Sequence, residues 1–286
     1  MTHILVTGAS GFIGSRLTEA LRAAGAGVWA LSSADGDIAG PEPFAGLEDR
    51  GIRHVFHLAA RSFVPDSWAD PAPFYRTNVQ GTAQVLELCR RSGASLTFLS
   101  TYLYGAPQQL PIPEDHPLQP SNPYAHSKLL AEELCAFYAR CFGVPVTVLR
   151  LFNVYGPGQR PPFLIPHLLH AVLHEPVIRV QDLAPRRDFV HVADVLDALL
   201  RTMEAPRAGM RCYNIGSGRS HSVGELIDAL QAAAGVQKPV ESAGERRPNE
   251  ILDTCADISR ARAELGWAPA VSLDAGLRSL IAAGSD

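Results

Sequence analysis

The chain has 286 residues, which is long enough for a well-filled hydrophobic core in one large domain or two unequal ones. Hydrophobic residues make up 47% and charged residues 19%, and no apolar run approaches the roughly 18 residues that a membrane-spanning helix requires. The formal net charge is −4 without a long basic block, which argues against nucleic acid or an anionic membrane as the main partner. We expect a soluble globular protein, and because Met1 leads into a strand-like run rather than a secretory signal, we expect it in the cytoplasm.

Cysteine and histidine patterns do not indicate a metal site. The five cysteines include no C-x-x-C pair, so neither a zinc knuckle nor a disulfide framework is suggested. His167, His170 and His174 share one predicted helical face, but no Asp or Glu lies between them at ligand spacing. We therefore predict no metal.

A glycine-rich turn separates the first predicted strand, residues 2–7, from a helical run over residues 15–22. The turn reads Gly8-Ala9-Ser10-Gly11-Phe12-Ile13-Gly14. Glycines let a backbone turn tightly and approach a pyrophosphate, whose charge is met by the amides and the positive dipole end of the following helix. The stretch therefore predicts a dinucleotide site.

The second predicted strand, residues 28–31, ends in Ser32 and Ser33. A carboxylate at this position would bind an adenosine ribose and favour NAD, and an arginine would bind the 2′-phosphate of NADP. Neither is present at the strand end, although Arg16 on the first helix offers a cation nearby. Without the carboxylate, the site lacks a charge penalty against a phosphate, so we predict NADP or NAD with a slight lean to NADP.

The next part of the chain departs from the usual pattern. Asp37 and Ile38 follow the second strand too closely for a crossover helix of ordinary length, so we expect a shortened crossover with a helix start at residues 41–50.

Strand and helix patterns then alternate as far as residue 150. Strands are predicted over residues 53–60, 95–99 and 146–150, and helices over 70–91 and 123–142. This alternation indicates an α/β fold with a doubly wound parallel sheet. Later helices are predicted over 163–174, 190–203, 223–234 and 273–281. We predict a dinucleotide-binding domain of residues 1–151 with 188–214, and a smaller substrate-binding portion of residues 152–187 with 215–286.

Tyr124 and Lys128 lie four residues apart in the helix predicted over 123–142, so the phenol and the ammonium share one face. A lysine beside a tyrosine favours the phenolate, and we expect it to lower the Tyr124 pKa from about 10. The pair is a candidate acid/base. Taken alone, however, a Y-x-x-x-K spacing is common, and two exposed helix residues are the alternative interpretation.

Further motifs follow in order along the chain. They are Asp37-Ile38, His57-Leu58-Ala59-Ala60, Asn78 with Gly81-Thr82, Ser100 with Tyr104-Gly105, Arg150-Leu151-Phe152-Asn153-Val154-Tyr155-Gly156-Pro157, Arg187-Asp188-Phe189-Val190-His191-Val192, Tyr213-Asn214-Ile215-Gly216-Ser217-Gly218, Arg247-Pro248 and Leu265-Gly266-Trp267. With the glycine-rich turn and the Tyr124–Lys128 pair, they resemble the extended short-chain dehydrogenase/reductase family over nearly the whole chain. This family contains nucleotide-sugar epimerases, dehydratases and 4-ketoreductases on a Rossmann-type fold.

The resemblance implies roles for individual residues. It implies that Tyr124 is the acid/base, Lys128 its electrostatic partner and Ser100 a second hydrogen bond to the reacting oxygen. The cofactor residues that it implies are Gly8, Gly11, Phe12, Ile13, Gly14, Ser32, Asp37, Ile38, Leu58, Ala59, Ala60 and Asn78, together with Tyr124 and Lys128. The residues that it implies for the substrate diphosphate are Asn153, Arg187 and Arg247. For Arg187 and Arg247, solvated surface charge remains the alternative.

The reaction is narrowed by what the motifs lack. Dehydratases of the family carry an acid one or two residues after the Ser100 position, where this chain has Thr101 and Tyr102. Redox chemistry at the fourth carbon of a nucleotide-diphosphate sugar is therefore favoured. The stretch over residues 62–68, and Gly156-Pro157-Gly158-Gln159 followed later by Arg187-Asp188-Phe189, most resemble the GDP-4-keto-6-deoxyhexose reductases. A UDP-glucose 4-epimerase-like enzyme is the alternative, followed by a non-catalytic dinucleotide-binding regulator. The family also implies a homodimer, paired through the helix that runs through Asn78 and the helix that carries Tyr124.

Overall fold

The computed structural model describes residues 3–204, 208–245 and 250–283. In chain order the elements are β1 (His3–Thr7), α1 (Phe12–Ala23), β2 (Gly27–Leu31), β3 (Ile52–His57), α2 (Val64–Ala69), α3 (Ala72–Tyr75), α4 (Gly81–Ser92), β4 (Ser95–Thr101), α5 (Pro123–Phe142), β5 (Val146–Leu151), β6 (Asn153–Tyr155), α6 (Leu164–His174), β7 (Ile178–Val180), β8 (Arg186–His191), α7 (Val192–Glu204), β9 (Met210–Ile215), β10 (Ser220–Ser222), α8 (Val223–Ala234), β11 (Val240–Ser242), β12 (Asp253–Thr254), α9 (Ser259–Leu265) and α10 (Leu273–Ala283). No helix in these ranges is long and apolar enough to cross a membrane.

The chain divides into two compact units. The first contains Met1–Gly105, Pro117–Leu151 and Leu196–Tyr213, and the second contains Ala106–His116, Phe152–Val195 and Asn214–Asp286. Residues 106–116 and 188–195 thus fall in the second unit, although we predicted them in the dinucleotide-binding domain. Pairing explains this placement, because β8 pairs with β6, β10 and β12, and Ile112 forms a bridge with Ala256.

A six-stranded parallel sheet of order β2-β1-β3-β4-β5-β9 confirms the predicted doubly wound fold. Its central strands are buried almost along their whole length, as expected for a sheet that is covered by helices on both faces. Leu5, Val55 and Leu96 from the sheet pack in one apolar core with Leu86 of α4 and Ala131 of α5. The carboxyl ends of these strands deliver the glycine-rich turn and Ser100.

The shortened crossover between β2 and β3 is confirmed, but the helix predicted over residues 41–50 is reduced to a 3-10 turn at Glu42–Phe44. The helical segment predicted over 70–91 is confirmed from Ala72 to Ser92, although it starts two residues later than expected. The short helix α2 before it was not predicted, and it is separated from α3 by Asp70, which is extended at φ −145° and ψ 92°, as favoured before Pro71. A π-helical turn, Arg76–Gln80, then joins α3 to α4. Such turns often occur at functional sites, and this one contains Asn78.

The helix predicted over 190–203 begins two residues later than expected, at Val192. Val190 and His191 instead continue strand β8, where they pair with Val154 and Tyr155 of β6. A short buried strand is apolar at every position, so the sequence pattern shows no change where the strand ends and the helix begins. We did not predict α9 or the short strands β7 and β10–β12, which are too short to produce a periodic pattern.

Two buried carboxylates organise the second unit. Asp188 accepts hydrogen bonds from the backbone N–H of Ser217 (2.6 Å), Gly218 (3.0 Å) and Ala256 (3.0 Å). Asp194 accepts hydrogen bonds from the backbone of residues 270 and 271, and its carbonyl accepts the indole N–H of buried Trp267 at 2.9 Å. Hydrogen bonds of this kind offset the cost of burying a charge. Asp188 thereby fixes the strand that carries Arg187.

Candidate active site

The glycine-rich turn is closed so tightly that two of its glycines are sterically required. Gly8 has φ +69°, and a Cβ on it would lie 2.7 Å from the backbone nitrogen of Ala59. A Cβ on Gly14 would lie 2.1 Å from the Gly8 carbonyl oxygen. The predicted cofactor residues after β1 and β3 are therefore in contact. Gly11 caps α1 without a side-chain hydrogen bond, and the first turn contains no acidic residue, so the helix start suits an anionic pyrophosphate.

The end of β2 holds a carboxylate that sequence reasoning missed. Asp35 folds back on Ser32 and accepts hydrogen bonds from its backbone N–H (2.8 Å) and its hydroxyl (2.9 Å). The backbone hydrogen bond, followed by the hydroxyl, lowers the pKa of Asp35, so the group is anionic at neutral pH. The Ser-x-x-Asp spacing of a side-chain-closed turn was the available signal.

A cavity of about 610 Å³ adjoins this strand end. It is lined by Ala9, Ser10, Ser15, Thr18, Glu19, Arg22, Ala23, Ala30 and Ser32. Arg22 is the arginine among these lining residues. The guanidinium of Arg16 instead lies 4.9 Å from the centre of the Phe12 ring, and it donates to the Phe12 carbonyl at 2.9 Å. Arg16, which the sequence offered as a nearby cation, therefore lies against Phe12 of the glycine-rich turn.

Asp37 and Ile38 are held against the helical segment that follows α3. Asp37 accepts hydrogen bonds from the backbone N–H of Ala39 at 2.9 Å and from Arg76 at 2.9 and 2.6 Å. These contacts, the Ala39 hydrogen bond first, lower the pKa of Asp37. The side chain of Ile38 packs on Gly81, where a Cβ would approach it to 2.8 Å. The two residues are thus fixed in place.

Asn78 is engaged with protein groups on both sides of its amide. Its Oδ1 accepts from the Arg61 N–H at 2.9 Å, and its Nδ2 donates to the Arg61 carbonyl at 3.0 Å and to the Ser127 hydroxyl at 2.8 Å. Ser127 in turn donates to the Tyr124 carbonyl at 2.7 Å. Asn78 therefore ties the loop after β3 to the first turn of α5, and its contact with a cofactor remains a prediction.

A second buried series of hydrogen bonds runs from Asn78 back to the glycine-rich turn. The Thr82 hydroxyl donates to the Asn78 carbonyl at 2.6 Å and lies 3.0 Å from Nε2 of His57. Nδ1 of His57 lies 2.7 Å from the hydroxyl of Thr7, the last residue of β1. Polar groups that are paired in this way inside a core fix a single arrangement. They connect the predicted cofactor turn to the helix that carries Tyr124.

The three predicted catalytic residues all lie in the first unit. Ser100 is the second-to-last residue of β4, is 4% exposed, and its hydroxyl has no hydrogen-bond partner among the described residues. Tyr124 and Lys128 lie on α5, which begins at Pro123 with Asn122 accepting from the Ala125 N–H at 2.8 Å. A buried hydroxyl without a partner is costly, and Ser100 is therefore suited to a ligand oxygen.

The expected pKa shift of Tyr124 is wrong in direction. Part of the side chain is accessible, but it lies deep enough for burial to raise its pKa to about 12, while interaction with the Thr101 hydroxyl lowers it. Lys128 is buried, and its Nζ lies 4.0 Å from the centre of the Phe98 ring. Burial lowers the pKa of Lys128 to about 8. The effect of desolvation on the Tyr124 pKa is thus larger than the effect that we expected from Lys128 four residues away. Tyr124 is a protonated phenol at neutral pH.

Two of the predicted diphosphate residues, Asn153 and Arg187, belong to the second unit. Asn153 Nδ2 donates to the Asp188 carbonyl at 3.2 Å. The Arg187 side chain is only 16% exposed, forms an ion pair with Glu250 and donates to the Ile251 carbonyl at 2.7 Å. Arg187 is therefore not a solvated surface charge. Arg247 lies outside the described residues, and no group of three metal-ligating side chains occurs among those that are described.

The chain is similar to known proteins over almost its whole length. The family described as NAD dependent epimerase/dehydratase matches residues 4–216. A GDP-6-deoxy-D-mannose reductase of Pseudomonas aeruginosa is 34% identical, over 98% of this chain and 96% of its own. The structure of RMD from Pseudomonas aeruginosa complexed with NADPH has a TM-score of 0.90 at 32% identity, over 99% of this chain and 98% of that one. A UDP-glucose 4-epimerase of Thermotoga maritima, solved with UDP-glucose, has a TM-score of 0.90 at 30% identity, over 99% of both chains.

A Gly14→Ala substitution should weaken binding of NAD(P) at least about tenfold, because its Cβ would clash with the Gly8 carbonyl at 2.1 Å and open the turn. Gly224→Ala is the matched control, since its Cβ would meet no atom closer than 3.7 Å. Isothermal titration of both variants with NADPH and NADH measures the effect. Equal affinity in the two variants would contradict the assignment of this turn to the cofactor.

Proposed function

Because the chain belongs to the NAD dependent epimerase/dehydratase family, we propose that it is an NAD(P)H-dependent reductase of a nucleotide-linked 4-keto-6-deoxyhexose. Members of the family are nucleotide-sugar epimerases, reductases and dehydratases. One observation carries the choice of redox chemistry over dehydration. Thr101 and Tyr102 stand where a dehydratase would need an acid, whereas Ser100, Tyr124 and Lys128, which reduction of a ketone requires, are all present.

The catalytic roles follow from the chemistry of the three side chains. When bound, the nicotinamide supplies the hydride that reaches the fourth carbon of the sugar. Tyr124 donates its phenolic proton to the oxygen on that carbon, and the Ser100 hydroxyl donates a hydrogen bond to the same oxygen. The buried Lys128 ammonium stabilises the phenolate that Tyr124 becomes. A low-dielectric setting strengthens this stabilisation, since Lys128 is largely removed from water.

We assign the substrate diphosphate to Asn153, Arg187 and Arg247. Guanidinium groups match phosphate oxygens in a two-pronged geometry, which suits a chain with net charge −4 that must bind an anion locally. Two carbonyl contacts, to Arg186 at 2.8 Å and to Ile251 at 2.7 Å, already orient the Arg187 guanidinium. A diphosphate would replace or share the ion pair with Glu250.

A nucleotide-sugar 4-epimerase is the second candidate, and the similarity to the UDP-glucose 4-epimerase favours it. Such an enzyme oxidises and re-reduces the same carbon, so the cofactor is regenerated. Stoichiometry separates the two. We expect net oxidation of NADPH or NADH, followed at 340 nm, when a GDP-4-keto-6-deoxyhexose is supplied. Interconversion of two nucleotide sugars at constant cofactor would instead identify the epimerase.

Tyr124→Phe should lower kcat by about 100-fold or more, because the variant keeps the ring but loses the proton donor. KM and the affinity for the dinucleotide should change little. Tyr75→Phe is the control, since Tyr75 bonds His126 at 3.0 Å and has no assigned catalytic role. Activity of Tyr124→Phe within about tenfold of the parent enzyme would reject the acid/base assignment.

The predicted nicotinamide dinucleotide cofactor is confirmed by the family, and the neighbour complexed with NADPH supports the lean to NADP. Asp35 acts against that lean. Its carboxylate is held at Ser32, where we place the 2′-phosphate of NADP, and like charges repel each other.

Asp35→Ala should therefore raise the ratio of kcat/KM for NADPH over NADH by about tenfold. Asp49→Ala removes an exposed carboxylate elsewhere in the first unit and serves as the control. Steady-state kinetics with both cofactors measures the ratio. An unchanged ratio in Asp35→Ala would show that the carboxylate does not face the ribose.

We further propose a homodimer built on α4 and α5. Phe137 and Phe142 of α5 are 45% and 49% exposed, and their ring centres are 5.9 Å apart. Arg90 of α4 lies over the Phe142 ring at 5.7 Å. Neighbouring exposed aromatic rings that arginine flanks are typical of interface anchors.

Phe137→Asp should shift the protein to the mass of one chain in multi-angle light scattering, because a buried interface would have to accept an unpaired charge. Phe163→Asp, a similarly exposed phenylalanine in the second unit, should leave the mass unchanged. If the parent protein already has the mass of one chain, the dimer proposal is wrong.

A further inference from the structure

A buried ion pair joins α5 to β5 one helical turn beyond Lys128. Arg150 NH2 lies 2.7 Å from Oε2 of Glu132, and Arg150 Nε donates to both carboxylate oxygens at 3.1 and 3.2 Å. The NH1 group of Arg150 donates to the hydroxyl of fully buried Tyr104 at 3.0 Å. The side chains of Arg150 and Glu132 are 6% and 4% exposed. The carboxylate is therefore clamped at both oxygens.

Stability alone does not explain this pair. Removing two ions from water costs several kcal/mol each, and well-packed apolar residues of similar volume are often equally stable. Burial lowers the pKa of Arg150, but the hydrogen bonds to Glu132 outweigh burial and the net shift is upward, so the guanidinium stays charged. A fixed charge in a poorly screened interior acts strongly on other buried charges. Lys128, four residues before Glu132 on the same helix, is the nearest such group in sequence.

Among the described residues that act on the Lys128 charge, Glu132 is the one carboxylate. Phe98 of β4 offers only its ring, at 4.0 Å. His57 of β3 is neutral at pH 7, because burial and then the Lys128 charge lower its pKa to about 3. Cys135 of α5 is a neutral thiol, since burial raises its pKa, and Tyr124 is a protonated phenol. Cys89 of α4, which interacts with Cys135, is also a neutral thiol, because burial raises its pKa to about 12.

We propose that Glu132 is a positioning residue that keeps the buried Lys128 ammonium charged, and that Arg150 and Tyr104 hold its carboxylate in place for that purpose. The inference rests on the proposed function, in which the Lys128 charge stabilises the Tyr124 phenolate.

Two opposing effects set the protonation of Lys128. Burial lowers its pKa to about 8, whereas the charge of the Glu132 carboxylate raises it. Lys128 is therefore charged below about pH 8 and loses its charge as the pH rises through that value. Removal of the Glu132 charge should lower the pKa further, whereas removal of Arg150 should leave the carboxylate unopposed and raise it.

The chain allows a direct measurement, because it contains only two lysines, Lys128 and Lys238. Protein labelled with 13C and 15N in lysine alone gives two side-chain NMR signals, and their chemical shifts report protonation as the pH is changed. We expect Glu132→Gln to lower the Lys128 pKa by about one unit or more and Arg150→Met to raise it. Lys238, which bonds the Glu175 carbonyl at 2.6 Å, is the internal reference and should not change.

The opposite signs separate this role from a structural one. If the pair only stabilised the fold, both variants would unfold more easily, and the Lys128 titration would stay the same or move the same way in both. If Glu132→Gln fails to fold, the double variant Glu132→Gln/Arg150→Met removes both charges without leaving one unpaired. Its Lys128 pKa should still lie below that of the parent protein, and an unchanged value would overturn the inference.

Kinetics provides the functional readout. The alkaline decline of kcat should move to lower pH in Glu132→Gln by the same amount as the Lys128 pKa, with KM little changed. Asp197→Asn removes an exposed carboxylate of α7, paired with Arg201, and should leave the pH profile unchanged. The NMR titration needs no turnover. A shifted titration without activity on any nucleotide sugar would reject the proposed function alone, whereas an unshifted titration would reject the inference alone.

Discussion

Removal of charge from water is the constraint on which the first unit depends. Lys128 is buried with an aromatic ring at 4.0 Å and with neutral groups on β3 and on its own helix. Such an ammonium is costly to keep, and its pKa is lowered accordingly. The same burial gives Lys128 its chemical value, because a charge that is poorly screened acts strongly on the phenol one turn before it. A more exposed lysine would be easier to fold and weaker as a catalyst.

A charge used in this way must be held in one place, and the hydrogen-bond pattern shows how that is achieved. The series from Thr7 through His57 and Thr82 to Asn78 links the end of β1 to the π-helical turn. From there Ser127 carries the connection to the Tyr124 carbonyl. All of these are neutral groups, so they fix geometry without adding charge near Lys128. Hydrogen bonds between neutral groups therefore fix the position of α5, whereas the Glu132–Arg150 pair determines the electrostatic potential at Lys128.

The sequence predicted what depends on local chemistry and failed where packing decides. The tight turn at Gly8 and Gly14 was predictable, because only glycine fits where two backbone segments lie so close that a Cβ would clash. The π-helical turn at Arg76–Gln80 was not predictable, because the segment stays helical through it and its apolar stripe continues. The direction of the Tyr124 pKa shift was not predictable, because the four-residue spacing is local whereas desolvation depends on the whole surrounding fold.

Asp35 and Glu250 show a more general limit. Both are carboxylates placed against positions where we predict anionic ligand groups, the ribose end of the cofactor and the substrate diphosphate. A sequence motif contains the residues that bind a ligand, but it does not include an acidic neighbour that competes with the ligand for those residues. Glu250 beside Arg187 lowers the affinity of this site for every anion. The loss is smaller for a ligand with several oxygens, because such a ligand forms more hydrogen bonds with the guanidinium than a single carboxylate does. A guanidinium that is oriented by two carbonyls and balanced by Glu250 would therefore favour a diphosphate over smaller anions.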